Sequence, residues 1–150
     1  MSTKTELLNK IDTSIAQRIK AYDNHPESDD LFAIFEDIVY NDDSQAFLAL
    51  IDAGADVNIQ NKYGWTLLHI TIRRDRRDMV EFLLAKGADI DKVDGVGWTP
   101  LMEAIMDNMT ELCGVLVARG ADVSIANGRG ATAPMLVQKF GRKSMMGFFS

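Results

Sequence analysis

Two histidines, one cysteine and a scatter of carboxylates are what this chain offers to chemistry, and their spacing gathers none of them into a site. His25 and His69 stand far apart, and with Cys113 they form no cluster at the spacing a zinc ion requires. Asp89, Asp91, Asp94 and Gly95 echo a calcium loop, but the aspartate spacing is wrong and the closing glutamate is absent. Gly95-Val96-Gly97 does not follow a strand into a helix, so it is not read as a phosphate loop. Arg73, Arg74, Arg76 and Arg77 bracket Asp75, a pattern simpler as a solvated turn than as a nucleic-acid or localisation signal. The reading is a non-enzymatic chain with no catalytic residue, no cofactor and no metal.

Charge is the less ordinary feature. The formal net charge of −6 is unevenly placed. From Ala21 to Asn61 there is no Lys or Arg, whereas Asp23, Glu27, Asp29, Asp30, Glu36, Asp37, Asp42, Asp43, Asp52 and Asp56 all fall there. Caps and turns explain some of these acids singly, but not the missing countercharge. Nucleic acid rewards clustered Lys and Arg and repels carboxylates, so it is not an expected partner. A basic protein surface would be drawn to the acidic end. No apolar run reaches the length of a bilayer span, and the amino end shows no apolar segment before a cleavage-type site. A single cysteine excludes an internal disulfide framework and fits a reducing, cytoplasmic setting.

The elements that must carry these residues repeat. Gly64-Trp65-Thr66 returns 33 residues later as Gly97-Trp98-Thr99 and again as Gly130-Ala131-Thr132. Gly54-Ala55-Asp56 returns as Gly87-Ala88-Asp89 and Gly120-Ala121-Asp122 with the same period. Two independent triplets in one register are the mark of a repeat architecture. Within a unit, Thr66 caps a short helix carrying Leu67, Leu68, Ile70 and Ile72. A turn at Arg74-Asp75 follows, then a second helix from about Arg77, and Gly87 stops it. A helix pair of this size cannot bury both apolar faces alone, so copies must stack. Cys113 stands where Val80 stands in the preceding copy, which predicts a buried small hydrophobe.

Thr66-Leu67-Leu68-His69 and Thr99-Pro100-Leu101-Met102 resemble the Thr-Pro-Leu-His signature of the ankyrin-repeat family. Val80-Glu81-Phe82-Leu83-Leu84 with the closing Gly87-Ala88-Asp89 is similar to its second helix. The last copy reads Thr132-Ala133-Pro134-Met135, which leaves room for a shifted helix start. The resemblance implies a structural role for His69, tying backbone and Thr hydroxyl across neighbouring turns. It also implies partner binding through projecting turns and the exposed side of the first helices. Carried over copy by copy, this gives the turn residues Lys62, Tyr63, Trp65, Val96, Trp98 and Arg129, with Gln60, Val93 and Ala126 beside them. The helix residues are Asp37, Tyr40, Ile70, Arg73, Glu103, Met106 and Asp107. Trp is among the types that dominate interface energetics; the other reading of Trp65 and Trp98 is that each lies flat on the neighbouring turn.

Ahead of the repeats, Thr5 to Tyr22 read as one amphipathic helix. At 100° per residue, Leu7, Leu8, Ile11, Ile15, Ile19 and Tyr22 share an arc of about 120°. Its mixed-charge polar face fits a cap on the solenoid better than a membrane surface. At the other end, Met145, Met146, Phe148 and Phe149 fall on core positions, so the tail should fold back on the third copy, the alternative being a hydrophobic end that docks a partner. The expected fold is an all-α, ankyrin-type solenoid of about four 33-residue repeats. Residues 1–27 form the capping helix and linker, and 28–150 the repeat domain (about 28–60, 61–94, 95–127 and 128–150). The expected function is non-covalent binding of another protein by a chain that is monomeric on its own. Its use is that of an adaptor, or of a dedicated inhibitor (an immunity protein or antitoxin) covering a basic toxin or nuclease; a small, acidic, stand-alone chain suits the second.

Overall fold

The first helix of each complete repeat starts where a threonine can cap it. In the computed structural model, which describes residues 3–149, α5 (Leu67–Arg73), α7 (Pro100–Met106) and α9 (Ala133–Lys139) begin directly after Thr66, Thr99 and Thr132. The last copy is therefore in register and not shifted, although Thr132 makes no side-chain cap. Proline one residue later there is compatible with a first turn whose amides need no partner. The second helices are α6 (Arg77–Ala85) and α8 (Thr110–Ala118). The incomplete first repeat supplies α3 (Leu31–Tyr40), capped by Asp30, and α4 (Ser44–Asp52), capped by Asp43. Between the helices of each pair, Asp42, Asp75, Asn108 and Gly141 hold φ of 53°, 56°, 58° and 62°. Asn, Asp and Gly are the types that enter this left-handed region at least strain.

The pairs stack α3 on α5 on α7 on α9, and a continuous core runs through them. Phe35, Phe47, Leu67, Leu68, Met79, Leu83, Leu101, Ile105 and Cys113 are all buried in it. Phe35 and Phe47 meet edge to face at 5.3 Å. Burial pushes the Cys113 thiol up to about 12, which leaves it an inert hydrophobe.

Both ends depart from expectation. The single helix expected over Thr5–Tyr22 is two, α1 (Lys4–Leu8) and α2 (Thr13–Tyr22). Asp12 is the cause. Its carboxylate accepts from Ser14 N (2.9 Å) and Ile15 N (3.3 Å), so it starts a new helix instead of continuing the old one. The break lets Leu7, Leu8, Ala16 and Ile19 all reach the core, and α2 packs on both α3 and α4. At the carboxyl end, Lys143–Phe149 form a 3-10 helix lying on α8 and α9. Three residues per turn cannot hold an α-helical stripe in register. Only Met145 is fully buried, Phe149 is half-buried, and Met146 and Phe148 are exposed, against the expectation that all four face the core.

Side chains from one repeat also hold the backbone of another. Arg76 donates to Val39 O (2.9 Å) and Tyr40 O (3.0 Å) at the end of α3. Arg142 does the same to Ile105 O (2.9 Å) and Met106 O (2.8 Å) at the end of α7. These are carbonyls that a helix terminus leaves without internal partners. Asn58 accepts from Asp89 N and Asp91 from Asp122 N, both at 2.8 Å, which links the loops that follow the second helices.

Candidate functional site

The open face is built from the tips between repeats and from the sides of α3, α5, α7 and α9. An Asn or Asp side chain shapes each of these tips. The side-chain oxygen of Asn61 accepts from Tyr63 N and Trp65 N, both at 3.0 Å. Asp94 accepts likewise from Val96 N and Trp98 N, and Asn127 from Arg129 N and Ala131 N. Successive tips then join: Gly95 N–H donates to Tyr63 O and Gly128 N–H to Val96 O, both at 2.9 Å. The approach is so close that a Cβ on Gly64, whose φ is +80°, would lie 2.5 Å from Gly95 N. Tyr63, Val96 and Arg129 are thereby fixed in a row.

His69 anchors the tips to the helices, as the resemblance implied. Its Nδ1 accepts from Thr66 N (3.1 Å) and Thr66 Oγ1 (2.8 Å), which leaves Nε2–H to donate to Trp98 O (2.9 Å) in the next repeat. Burial pushes the imidazole below its ordinary value and so favours the neutral ring this pattern needs.

Six of the residues picked from the sequence form one chain across repeats two and three. The Lys62 ammonium lies 5.2 Å from the Tyr63 ring centre, Tyr63 packs on Trp65 at 5.1 Å, and the Arg73 guanidinium sits 4.2 Å over Trp65. Arg73 donates to Glu103 Oε1 at 2.9 Å. One turn on, Asp107 is half-buried and its Oδ2 has no donor among the described residues. Burial, then the neighbouring Glu103, pushes the Asp107 carboxyl up to about 7. Burial also opposes ionisation of Glu103, but the hydrogen bond from Asp107 and the Arg73 guanidinium outweigh it and hold Glu103 below its ordinary value. Trp65 is thus held between Tyr63 of its own tip and Arg73 of its own repeat.

Val96, Trp98, Met106 and Arg129 form a separate group. They line a groove of about 600 Å³ between repeats three and four. Lys139 and Phe140 of the last repeat complete it, and sequence reasoning missed both. The signal was present, since Lys139 is two periods beyond Arg73 and Phe140 one period beyond Asp107.

The remaining picks behave differently. Asp37 accepts from Asn24 N (3.0 Å) and Asn24 Nδ2 (2.8 Å), so the linker already engages it. Tyr40 is 64% exposed, with the Arg74 guanidinium 5.0 Å over its ring. Ile70 is a correction: at 5% exposed it is walled in by its neighbours on the stacked first helices instead of standing on the surface. The arginine-rich turn is solvated as read, with Arg74, Asp75 and Arg77 exposed, while Arg73 and Arg76 also reach Glu103 and the α3 carbonyls.

The missing countercharge of residues 21–61 is supplied from elsewhere in the chain. Lys4 pairs with Asp23 (2.7 Å), Arg18 with Asp43 (2.9 Å), Arg76 with Asp42 (3.6 Å) and Lys86 with Asp52 (2.8 Å). Glu36 stays outside this neutralisation. Burial, with Asp37 and Asp30 nearby, pushes it above its ordinary value.

A family model for ankyrin repeats matches residues 35–145 in three copies. The chain belongs to the ankyrin-repeat family. Ankyrin repeats are generally protein–protein interaction modules and typically non-enzymatic. No curated protein matches this ankyrin-repeat chain. Among its described residues no helix is long and apolar enough to cross a membrane.

Proposed function

We propose that this ankyrin-repeat protein binds one partner protein along the open face from Tyr40 through the tips to Arg129. The observation that carries the reading is the exposure of large apolar groups on that face: Tyr40 at 64%, Tyr63 at 55% and Val96 at 63%. Side chains of this kind are favoured at interfaces and gain most when water is removed from them. The surface residues we assign are Asp37, Tyr40, Lys62, Tyr63, Trp65, Arg73, Val96, Trp98, Glu103, Met106, Asp107 and Arg129. Asp30, Glu36 and Asp37 lie close enough together to repel one another, and this cluster of acids supports a partner with a basic surface at the first-repeat end. The same feature supports use as an inhibitor covering the active site of a basic toxin or nuclease, and the single, buried Cys113 supports a reducing, cytoplasmic setting.

Affinity capture from the source cells, run in parallel with the parent chain and a Tyr63→Ala, Trp98→Ala double variant, tests the proposal. The expected result is a basic protein retained by the parent and lost from the variant. A partner recovered equally by both places recognition on another surface. Recovery of a basic enzyme whose activity falls when the chain is added would single out the inhibitor use over the adaptor.

A further inference from the structure

The charges along the solenoid are distributed unequally, and so is their compensation. From Arg119 onward the chain carries Arg119, Arg129, Lys139, Arg142 and Lys143 against a single acid, Asp122. Arg142 is engaged with backbone carbonyls and Arg119 with Glu81. Arg129 and Lys139 have no carboxylate within ion-pair reach among the described residues. Both line the groove between repeats three and four, where Val96 is 63% and Phe140 39% exposed. Trp98 and Met106 are half-buried there. The Lys139 ammonium lies 5.6 Å from the Phe140 ring centre, a contact with an aromatic face and not with an anion.

We propose that this groove receives a segment of the partner protein bearing a large apolar side chain flanked by carboxylates. The inference rests on the open face being protein-binding and names what its far end recognises. A volume of about 600 Å³ falls within the range of pockets that enclose a drug-sized group, ample for a Leu, Phe or Trp side chain with its backbone. Apolar walls supply the hold, and the two cations at the rim select the flanking charge. A basic segment meets repulsion from both cations, and a neutral one leaves both without a counterion. The face is therefore bipolar: acidic around Glu36, cationic around Arg129 and Lys139. That polarity sets the direction in which a partner lies along the solenoid.

The test is selection of random dodecapeptides on the full chain by phage display. Fluorescence anisotropy of the enriched peptides then follows on the parent chain, on Arg129→Glu with Lys139→Glu, on the milder Arg129→Gln with Lys139→Gln, and on Glu36→Lys. All variants are first checked for parental helix content by circular dichroism. Enriched peptides should carry net negative charge and a large apolar residue beside Asp or Glu. The charge-reversed pair should weaken them at least about tenfold, the neutralised pair by less, and added salt should weaken them on the parent chain. Net basic or neutral peptides, or acidic ones that bind the charge-reversed pair as they bind the parent, overturn the groove assignment. Peptides lost on Glu36→Lys instead overturn it while leaving the open-face reading intact. A selection that enriches nothing overturns both. Should 4-phenylbutyrate bind as tightly as the peptides, the occupant is a small carboxylate and the proposal of a protein segment fails.

Discussion

Replacing Arg76 by methionine, the residue type found one period later at Met109, isolates what ties the first repeat to the second. The guanidinium donates two hydrogen bonds to Val39 O and Tyr40 O at 2.9 and 3.0 Å, and its side chain is only 24% exposed. Hydrogen bonds from a charged donor contribute about 1.5–3 kcal/mol each when shielded from water. The Tyr40 carbonyl lies at an exposed helix end and regains water when the donor leaves, so its bond falls below that range. Asp42, 3.6 Å away and 60% exposed, adds little. Methionine keeps the packing of the aliphatic stem. The expected loss is about 2 kcal/mol, or about 4–8 °C in Tm for a chain of this length. Urea denaturation followed by circular dichroism measures it, with Arg74→Met as a surface control expected to change by less than about 1 kcal/mol. A loss under about 0.5 kcal/mol, or one matched by the control, refutes the claim that these two bonds hold α3 against the second repeat.

Gly97→Ala should lose about 2–3 kcal/mol, because its φ is +84° and a Cβ would lie 2.9 Å from Gly128 N. Gly120→Ala, with φ +89° but open space around it, should lose only about 1 kcal/mol, and equal losses in urea would deny the tip contact its role. Asp107 binds its proton more tightly folded than unfolded, so the stability it contributes is complete at low pH and is lost as pH rises through about 7. Asp107→Asn should therefore gain about 1 kcal/mol over the parent at pH 8, discounted for a half-exposed group, and little at pH 5; parallel pH profiles would contradict the raised Asp107 carboxyl. Deleting residues 1–26 should uncover the faces of α3 and α4 that α2 covers, giving dye binding and self-association in light scattering, and a monomeric, equally stable product would contradict it. With the partner in hand, Trp98→Ala should cost about 2 kcal/mol through faster dissociation, and Glu36→Lys should mainly slow association, as surface plasmon resonance would resolve.

The repeat, its helix pairs and its tips were legible because they depend on local rules that recur with the period. Thr66 and Thr99 cap, Gly64 and Gly97 turn, and the apolar stripe demands a neighbouring copy, whatever lies elsewhere in the chain. The role of His69 was legible for the same reason, since its partners are the start of its own helix and the equivalent tip residue Trp98 one period on. What the linear order could not show is which distant groups meet. The acidic stretch read as uncompensated because its cations, Lys4, Arg18, Arg76 and Lys86, lie outside it in sequence and beside it in space. The break at Asp12 rests on a local cap, Asp12 accepting from Ser14 N and Ile15 N, which the continuous apolar arc from Leu7 to Tyr22 masked in the sequence. The division of the face into a self-engaged run around Trp65 and an open groove beside Trp98 belongs to tertiary structure. Equivalent positions carry Arg73 in one repeat and Met106 in the next, and only the folded stack shows that Arg73 covers its tryptophan while Met106 leaves room beside the other.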